Sequence, residues 1–172
     1  TIGDQIKSHN HGFAYYAGNN TWIGELQVLV KGEGYMYHNT SDKNVVFTYN
    51  VPQGKSNSEL KSNITSENNY WTPNASQYPN NMTMTAMVDI EGGDYEVAAF
   101  VDGEVRGSAR PIYVEPIDAY VLLLTIHGEG VEEMTFKCYD LTTGEEVEFS
   151  NRINYSNDAI VGSIYEPYML TR

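Results

Sequence analysis

The sequence has little cysteine and no long apolar segment. Cys138 is the single cysteine among 172 residues, so no disulfide can form within the chain. It lies in an alternating stretch, where a free cysteine is usually a small buried hydrophobic residue. The longest apolar run, residues 119–124, is far shorter than the roughly 18 residues that indicate a membrane-spanning helix. We therefore expect neither an internal disulfide nor a membrane span.

Basic residues are also scarce. The chain has 10 lysines and arginines against 23 aspartates and glutamates, which gives a formal net charge of −13. A field of this sign repels nucleic acid and anionic lipid surfaces, so we do not expect nucleic acid as a partner. It is compatible with neutral ligands and with cations.

Short catalytic motifs are missing as well: the sequence contains no HExxH, CxxC, GxSxG or P-loop pattern. His9 and His11 are two residues apart, so on a strand they face the same side and could share a metal, but no third ligand is near them in the sequence. We interpret the histidines as ordinary surface or rim residues. The sequence predicts a protein that is not an enzyme.

Acidic residues cluster in two places, at residues 129–133 and 145–148. A glycosidase needs two carboxylates facing each other across a cleft, and adjacent glutamates on a turn do not supply that arrangement. We interpret both clusters as solvated acidic surface, with a weak calcium site as the alternative. No cofactor is predicted, and calcium is the one that the residue types leave open.

The pattern that is present is that of an all-β protein. Short strand candidates are separated by turn clusters at intervals of about 8–12 residues, and no segment has a long 3.6-residue periodicity. This spacing predicts an immunoglobulin-like or jelly-roll-type antiparallel β-sandwich with a smaller N-terminal β-rich unit. In that first unit, strands are predicted over residues 22–30, 35–38 and 45–49.

Residues 97–109 are the centre of this prediction. They form two short strand patterns joined at Asp102-Gly103, and a two-residue type I′ turn suits this pair because both central positions need a positive φ. Arg106 is predicted to face outward and to pair with Glu104 or contact a partner. After the hairpin, residues 112–115 between two prolines predict an edge strand, and residues 120–126, apolar on both faces, predict a central one.

Composition divides the chain into two units, residues 1–66 and residues 67–172. Glycine, serine, asparagine and lysine dominate residues 53–69, and aromatic residues vanish there. Residues 56–59 fit a capping box, which would allow one or two helical turns, and a simple polar connector is the alternative. We expect a small β-rich unit with a polar connector, followed by a β-sandwich unit.

Aromatic residues give the most suggestive functional signal, because the chain has 14 tyrosines and two tryptophans. Sugar-binding proteins use exposed rings that offer a flat apolar face and a polar edge. Core packing is the alternative, since burying a ring stabilises a protein by several kcal/mol. The predicted ligand-binding residues are Trp22, Tyr15, Tyr37 and Trp71.

Residues 71–86, with residues 98–109, resemble a β-sandwich module that recurs in large secreted or cell-surface proteins of Bacteroidetes-type bacteria. Residues 3–8, 22–26 and 31–36 are similar to the segment that often precedes this module. The resemblance implies an extracellular or cell-surface location, in chains that also carry adhesion, carbohydrate-binding or hydrolase domains. It implies no catalytic residue. Since the chain begins at Thr1 without a methionine, we expect a piece of a larger polypeptide.

These observations together predict a non-catalytic extracellular or cell-surface module of a larger bacterial protein, serving adhesion, spacing or ligand binding. Its partner would be a glycan or another surface protein. Two alternatives stay open. One is a carbohydrate-binding module that uses exposed aromatic rings, and the other is an accessory fragment of a secreted hydrolase.

Overall fold

The computed structural model describes residues 1–46, 69–90 and 93–172. Within these ranges the chain forms fourteen β-strands in three sheets and two single-turn 3₁₀ helices. The predicted all-β fold with an antiparallel β-sandwich is therefore confirmed. The predicted boundary between residues 66 and 67, and the capping box at residues 56–59, lie outside the described residues.

The first sheet has four short strands in the order β3-β2-β1-β4, and every pair is antiparallel. The strands are β1 (Gln5–Ser8), β2 (Phe13–Gly18), β3 (Thr21–Gly24) and β4 (Tyr35–His38). The strand predicted over residues 22–30 was too long. It ends at Gly24, which has a φ of 145° and lies so close to β2 that a Cβ would come within 2.2 Å of the Phe13 carbonyl oxygen.

The predicted strand at residues 35–38 is confirmed as β4, which pairs with β1. Residues 45 and 46 are not in a strand, and the rest of the predicted strand over residues 45–49 lies outside the described residues.

Ten strands form the sandwich. They are β5 (Asn80–Val88), β6 (Tyr95–Val101), β7 (Glu104–Ala109), β8 (Ile112–Val114), β9 (Ala119–Gly128), β10 (Glu133–Asp140), β11 (Glu146–Glu148), β12 (Ile153–Asn154), β13 (Ile160–Val161) and β14 (Tyr168–Leu170). One sheet has the order β11-β10-β6-β7, with β12 also on β10. The other has the order β13-β5-β9-β8, with β14 also on β5. The 3₁₀ helices are Ala75–Gln77 and Glu115–Ile117.

Alternation along the strands builds the core between these two sheets. On β5, Met82, Met84 and Ala86 are fully buried and share one face. They pack in a single cluster with alternate residues of β6, β9 and β10, among them Val97, Leu124 and Phe136. The period-two pattern in the sequence therefore places the core residues correctly.

The predicted hairpin at residues 97–109 is confirmed as β6 and β7. Asp102 and Gly103 have φ angles of 49° and 81°, as a type I′ turn requires. A β-bulge follows in β7, because Phe100 pairs with Val105 and Ala99 pairs with Gly107. The predictions of an edge strand and a central strand are also confirmed, since β8 is at a sheet edge and β9 lies between β5 and β8.

The first sheet covers the outer face of the β5–β9 sheet, so the described chain has three stacked layers. Phe13 and Tyr15 of β2 pack against Val121 and Leu123 of β9 in a second buried cluster. Polar side chains complete this interface. Lys7 of β1, for example, is almost fully buried and donates hydrogen bonds to both the backbone and the side-chain oxygen of Asn81.

Candidate functional site

Three aromatic side chains meet on the side of the first sheet that faces away from the sandwich. Tyr16 of β2 pairs with Trp22 of β3, and Tyr37 of β4 pairs with Ile6 of β1. The Trp22 ring centroid is 5.2 Å from that of Tyr16 and 6.5 Å from that of Tyr37. We call these three rings the aromatic face.

The rings of the aromatic face lean towards one another across the sheet. Because β3 and β4 are its two edges, three strand spacings of about 4.8 Å separate Trp22 from Tyr37 at the backbone. Their rings come together over Ile6 and Ala14, which are buried beneath them. All three rings of the aromatic face are half-buried, so each is packed on one side and partly open to solvent.

A network of hydrogen bonds around Asp4 fixes Tyr37 in position. The Tyr37 hydroxyl donates to Asp4 Oδ2 over 2.6 Å, and the Thr40 backbone N–H and hydroxyl donate to Asp4 Oδ1 over 2.9 and 2.7 Å. Burial alone would raise the pKa of Asp4, but these bonds and one from the Thr1 amino group hold it well below its usual range. Burial and the Asp4 carboxylate raise the pKa of Tyr37 to about 12, so its phenol stays protonated.

Trp22 has an open polar edge. Among the described residues, its indole Nε1–H has no hydrogen-bond acceptor, and the side chain is half-exposed. An indole donor beside an accessible ring can bind an acceptor on a ligand that stacks against that ring. The aromatic face therefore combines an apolar surface with one available donor.

Tyr15 does not belong to this face, which corrects its prediction as a ligand-binding residue. It is 2% exposed, and its hydroxyl lies 2.6 Å from Thr85 Oγ1 in the interface between the layers. Tyr16, the next residue in β2, lies on the aromatic face instead. Neighbouring residues on a strand face opposite sides, so the sequence indicates that one of the two tyrosines faces outward without indicating which.

Trp71 is also buried, which corrects the second of these predictions. It is 8% exposed and packs edge to face on Phe100, with ring centroids 5.6 Å apart. Its backbone N–H donates to Glu96 over 3.0 Å, and Tyr70 packs against it, with ring centroids 5.0 Å apart. Trp71 thus covers the outer face of the β6–β10 sheet and has almost no surface for a ligand.

Arg106 of β7 is buried, which corrects its prediction as an outward-facing residue. It is 5% exposed, and its guanidinium donates to both carboxylate oxygens of Glu132 over 3.1 and 2.9 Å. The Tyr78 ring lies over it at 3.9 Å, and Glu104 lies 3.7 Å from Nε. A bidentate pair of this kind positions the loop before β10 against β7.

His9 and His11 contact different residues, although their spacing in the sequence would let them share a metal. His9 packs edge to face on His127 with ring centroids 5.4 Å apart, and His11 Nε2 lies 3.0 Å from a Glu33 carboxylate oxygen. His127 is 5% exposed, which corrects its interpretation as a surface or rim residue, and burial together with the neighbouring His9 lowers its pKa to about 4. No group of three or more histidine, cysteine or acidic side chains in the described ranges is arranged to hold a metal ion.

Cys138 is buried in β10, and burial raises the pKa of its thiol to about 11. This side chain is therefore a protonated core residue at neutral pH. Across residues 1–46, 69–90 and 93–172, no helix is long and apolar enough to cross a membrane.

Comparison with known proteins finds no family model, no curated protein and no solved structure that matches this chain. The resemblance to a bacterial surface module therefore stays a prediction.

Proposed function

We propose that the chain is a non-catalytic binding module of an extracellular or cell-surface protein and that its aromatic face binds a glycan. The observation that carries this proposal is the convergence of Tyr16, Trp22 and Tyr37 into one half-exposed surface. Rings with only a packing role would gain more by complete burial, as Tyr15 does in the interface between the layers.

The chemistry of the face fits an uncharged sugar. The C–H face of a pyranose packs on an aromatic ring, while its hydroxyls need polar partners at the ring edge. Trp22 supplies such a partner through Nε1–H, and the hydrogen bond to Asp4 holds Tyr37 in a fixed orientation before a ligand arrives. The net charge of −13 disfavours acidic glycans.

Glycan-array screening followed by isothermal titration calorimetry tests this proposal. Trp22→Ala should weaken binding to any glycan found by at least about tenfold, because the central ring and the donor are lost together. Tyr70→Ala is the matched control. Tyr70 is 48% exposed but lies over the β6–β10 sheet, next to Trp71, so its loss should leave affinity unchanged.

Two outcomes would contradict the proposal: absence of binding across a broad array, and equal affinity of the native chain and Trp22→Ala. Circular dichroism of the variant shows whether it is folded. If Trp22→Ala unfolds, Trp22→Phe keeps the packing but removes the Nε1–H donor, and it should still weaken binding.

A further inference from the structure

A second pair of exposed rings lies at the β8 edge of the sandwich. Tyr113 of β8 and Tyr120 of β9 are direct cross-strand partners. Their ring centroids are 5.4 Å apart, and the ring planes are inclined by 61°. Tyr113 is 52% exposed and Tyr120 is 41% exposed, so this edge-to-face pair of rings is partly open to solvent.

Carboxylates lie beside this pair of rings. Asp118 accepts a hydrogen bond from the Tyr113 hydroxyl, and it does so from a left-handed backbone conformation with φ 50° and ψ 45°. The Asp118 hydrogen bond and burial, with the charges of Asp118 and Glu115, raise the pKa of Tyr113, so its ring remains a neutral phenol. Within the described part of the chain, neither carboxylate forms a salt bridge.

Backbone packing holds one of the rings. Gly93 lies against Tyr120, where a Cβ would come within 3.0 Å of the ring atom Cε1. Only glycine allows this approach without a shift of the ring. Tyr120 is therefore supported from one side by backbone and keeps a large accessible surface.

We propose that Tyr113, Tyr120, Asp118 and Glu115 form a binding site for a small quaternary ammonium compound. The faces of aromatic rings carry partial negative charge, and two inclined rings can contact an alkylated ammonium group from two sides. The two carboxylates add unpaired negative charge at the same place, and the whole chain has a net charge of −13. This site is separate from the aromatic face and does not depend on its function.

The charge of the ligand is the property that the experiment has to isolate. Choline and 3,3-dimethylbutan-1-ol have nearly the same shape, but only choline is charged. Both are titrated into the native chain while the tyrosine ring signals are followed by NMR. We expect saturable shifts of the Tyr113 and Tyr120 signals with choline, and at least roughly fivefold weaker binding of the neutral analogue.

Variants separate the contributions of ring and carboxylate. Tyr120→Leu should weaken choline binding by at least roughly fivefold, whereas Tyr120→Phe, which keeps the ring, should bind as the native chain does. Asp118→Asn should also weaken binding, because it removes a negative charge beside the cation. Tyr70→Leu, at a tyrosine that is 48% exposed and lies over the β6–β10 sheet, is the matched control and should have no effect.

Three results would overturn the site. Equal affinity for choline and the neutral analogue would show an apolar patch without charge recognition. Unchanged choline binding by Tyr120→Leu would place the binding elsewhere, and a lack of saturable shifts at the two tyrosines would exclude binding there. Spectra of each variant establish that it is folded before it is titrated.

Discussion

Arg106 and His127 are two titratable residues whose environment differs from what their sequence context suggests. Arg106 follows a polar turn, yet it is buried against Glu132 and Tyr78. His127 precedes a glycine-rich turn, yet it is buried against His9, and its Nδ1 has no hydrogen-bond partner within the described residues. Burial favours the neutral form of an imidazole. Protonation of His127 therefore destabilises the folded chain.

We predict that the protein loses stability between about pH 6.5 and pH 4 because of His127. Its pKa in the folded chain is about 4, below the ordinary value of 6.5, so in this range the unfolded chain binds a proton that the folded chain does not. The contribution present above pH 6.5 is thus lost as the pH falls, up to about 3 kcal/mol. Urea unfolding at a series of pH values measures it.

His127→Gln should reduce this slope, because glutamine has no proton to take up. His38→Gln is the matched control, since His38 is exposed on β4, and it should keep the slope of the native chain. A native slope in His127→Gln would assign the loss of stability to other groups.

At the scale of elements, β7 of one sheet and β9 of the other are in close contact, and the two sheets of the sandwich meet there. Gly107 lies so close to β9 that a Cβ would be 2.3 Å from the Thr125 carbonyl oxygen. The bulge just before it leaves Arg106 without a pairing partner in β6, which lets the strand turn towards β9. The hairpin is therefore built by a turn, a bulge and a glycine in succession.

We predict that Gly107→Ala lowers the free energy of unfolding by at least about 2 kcal/mol, because backbone must move to admit the methyl group. Gly34→Ala is the control, since a Cβ there has no heavy atom within 4 Å, and it should change stability by less than about 0.5 kcal/mol. Both are measured by urea unfolding. Equal effects of the two substitutions would mean that the close approach to β9 is not what requires glycine at residue 107.

At the scale of the whole molecule, the first sheet is joined to the sandwich by an interface that is partly apolar and partly polar. Its polar part depends on Lys7, whose Nζ donates to Asn81 Oδ1 over 3.0 Å and to Asp158 Oδ1 over 2.8 Å. The contact links β1 to a loop 151 residues later in the chain. The stability of the first layer therefore depends on residues at both ends of the chain.

We predict that Lys7→Met speeds hydrogen exchange in β1–β4 by roughly tenfold while the amides of β6 and β10 are little changed. The variant keeps the aliphatic stem but loses the charged hydrogen bonds, so local opening of the first layer costs less free energy. Hydrogen exchange followed by mass spectrometry measures this. Lys137→Met, which removes a surface pair with Glu146, is the control and should leave both regions unchanged.

An equal acceleration in all three sheets of Lys7→Met would instead show that the layers open as one cooperative unit. That result would contradict a separately opening first layer.

The sequence by itself determined the local features of this protein. Alternation along residues 82–88 identified the core face of β5, and Asp102-Gly103 identified the turn of the hairpin, because both depend on neighbouring residues only. The pattern of strands without helices was sufficient for an all-β sandwich. Trp22 and Tyr37 were selected as ligand-binding residues from their chemistry, and they lie on one face.

Tertiary structure alone decided which of these side chains is accessible. Tyr15 rather than Tyr16 is buried because the sandwich covers that side of the first sheet. Trp71 is covered because Glu96, 25 residues later, binds its backbone N–H, and Arg106 finds its partner Glu132 at a distance of 26 residues. Alternation indicates two faces of a strand, but packing between distant segments determines which face is open to a ligand.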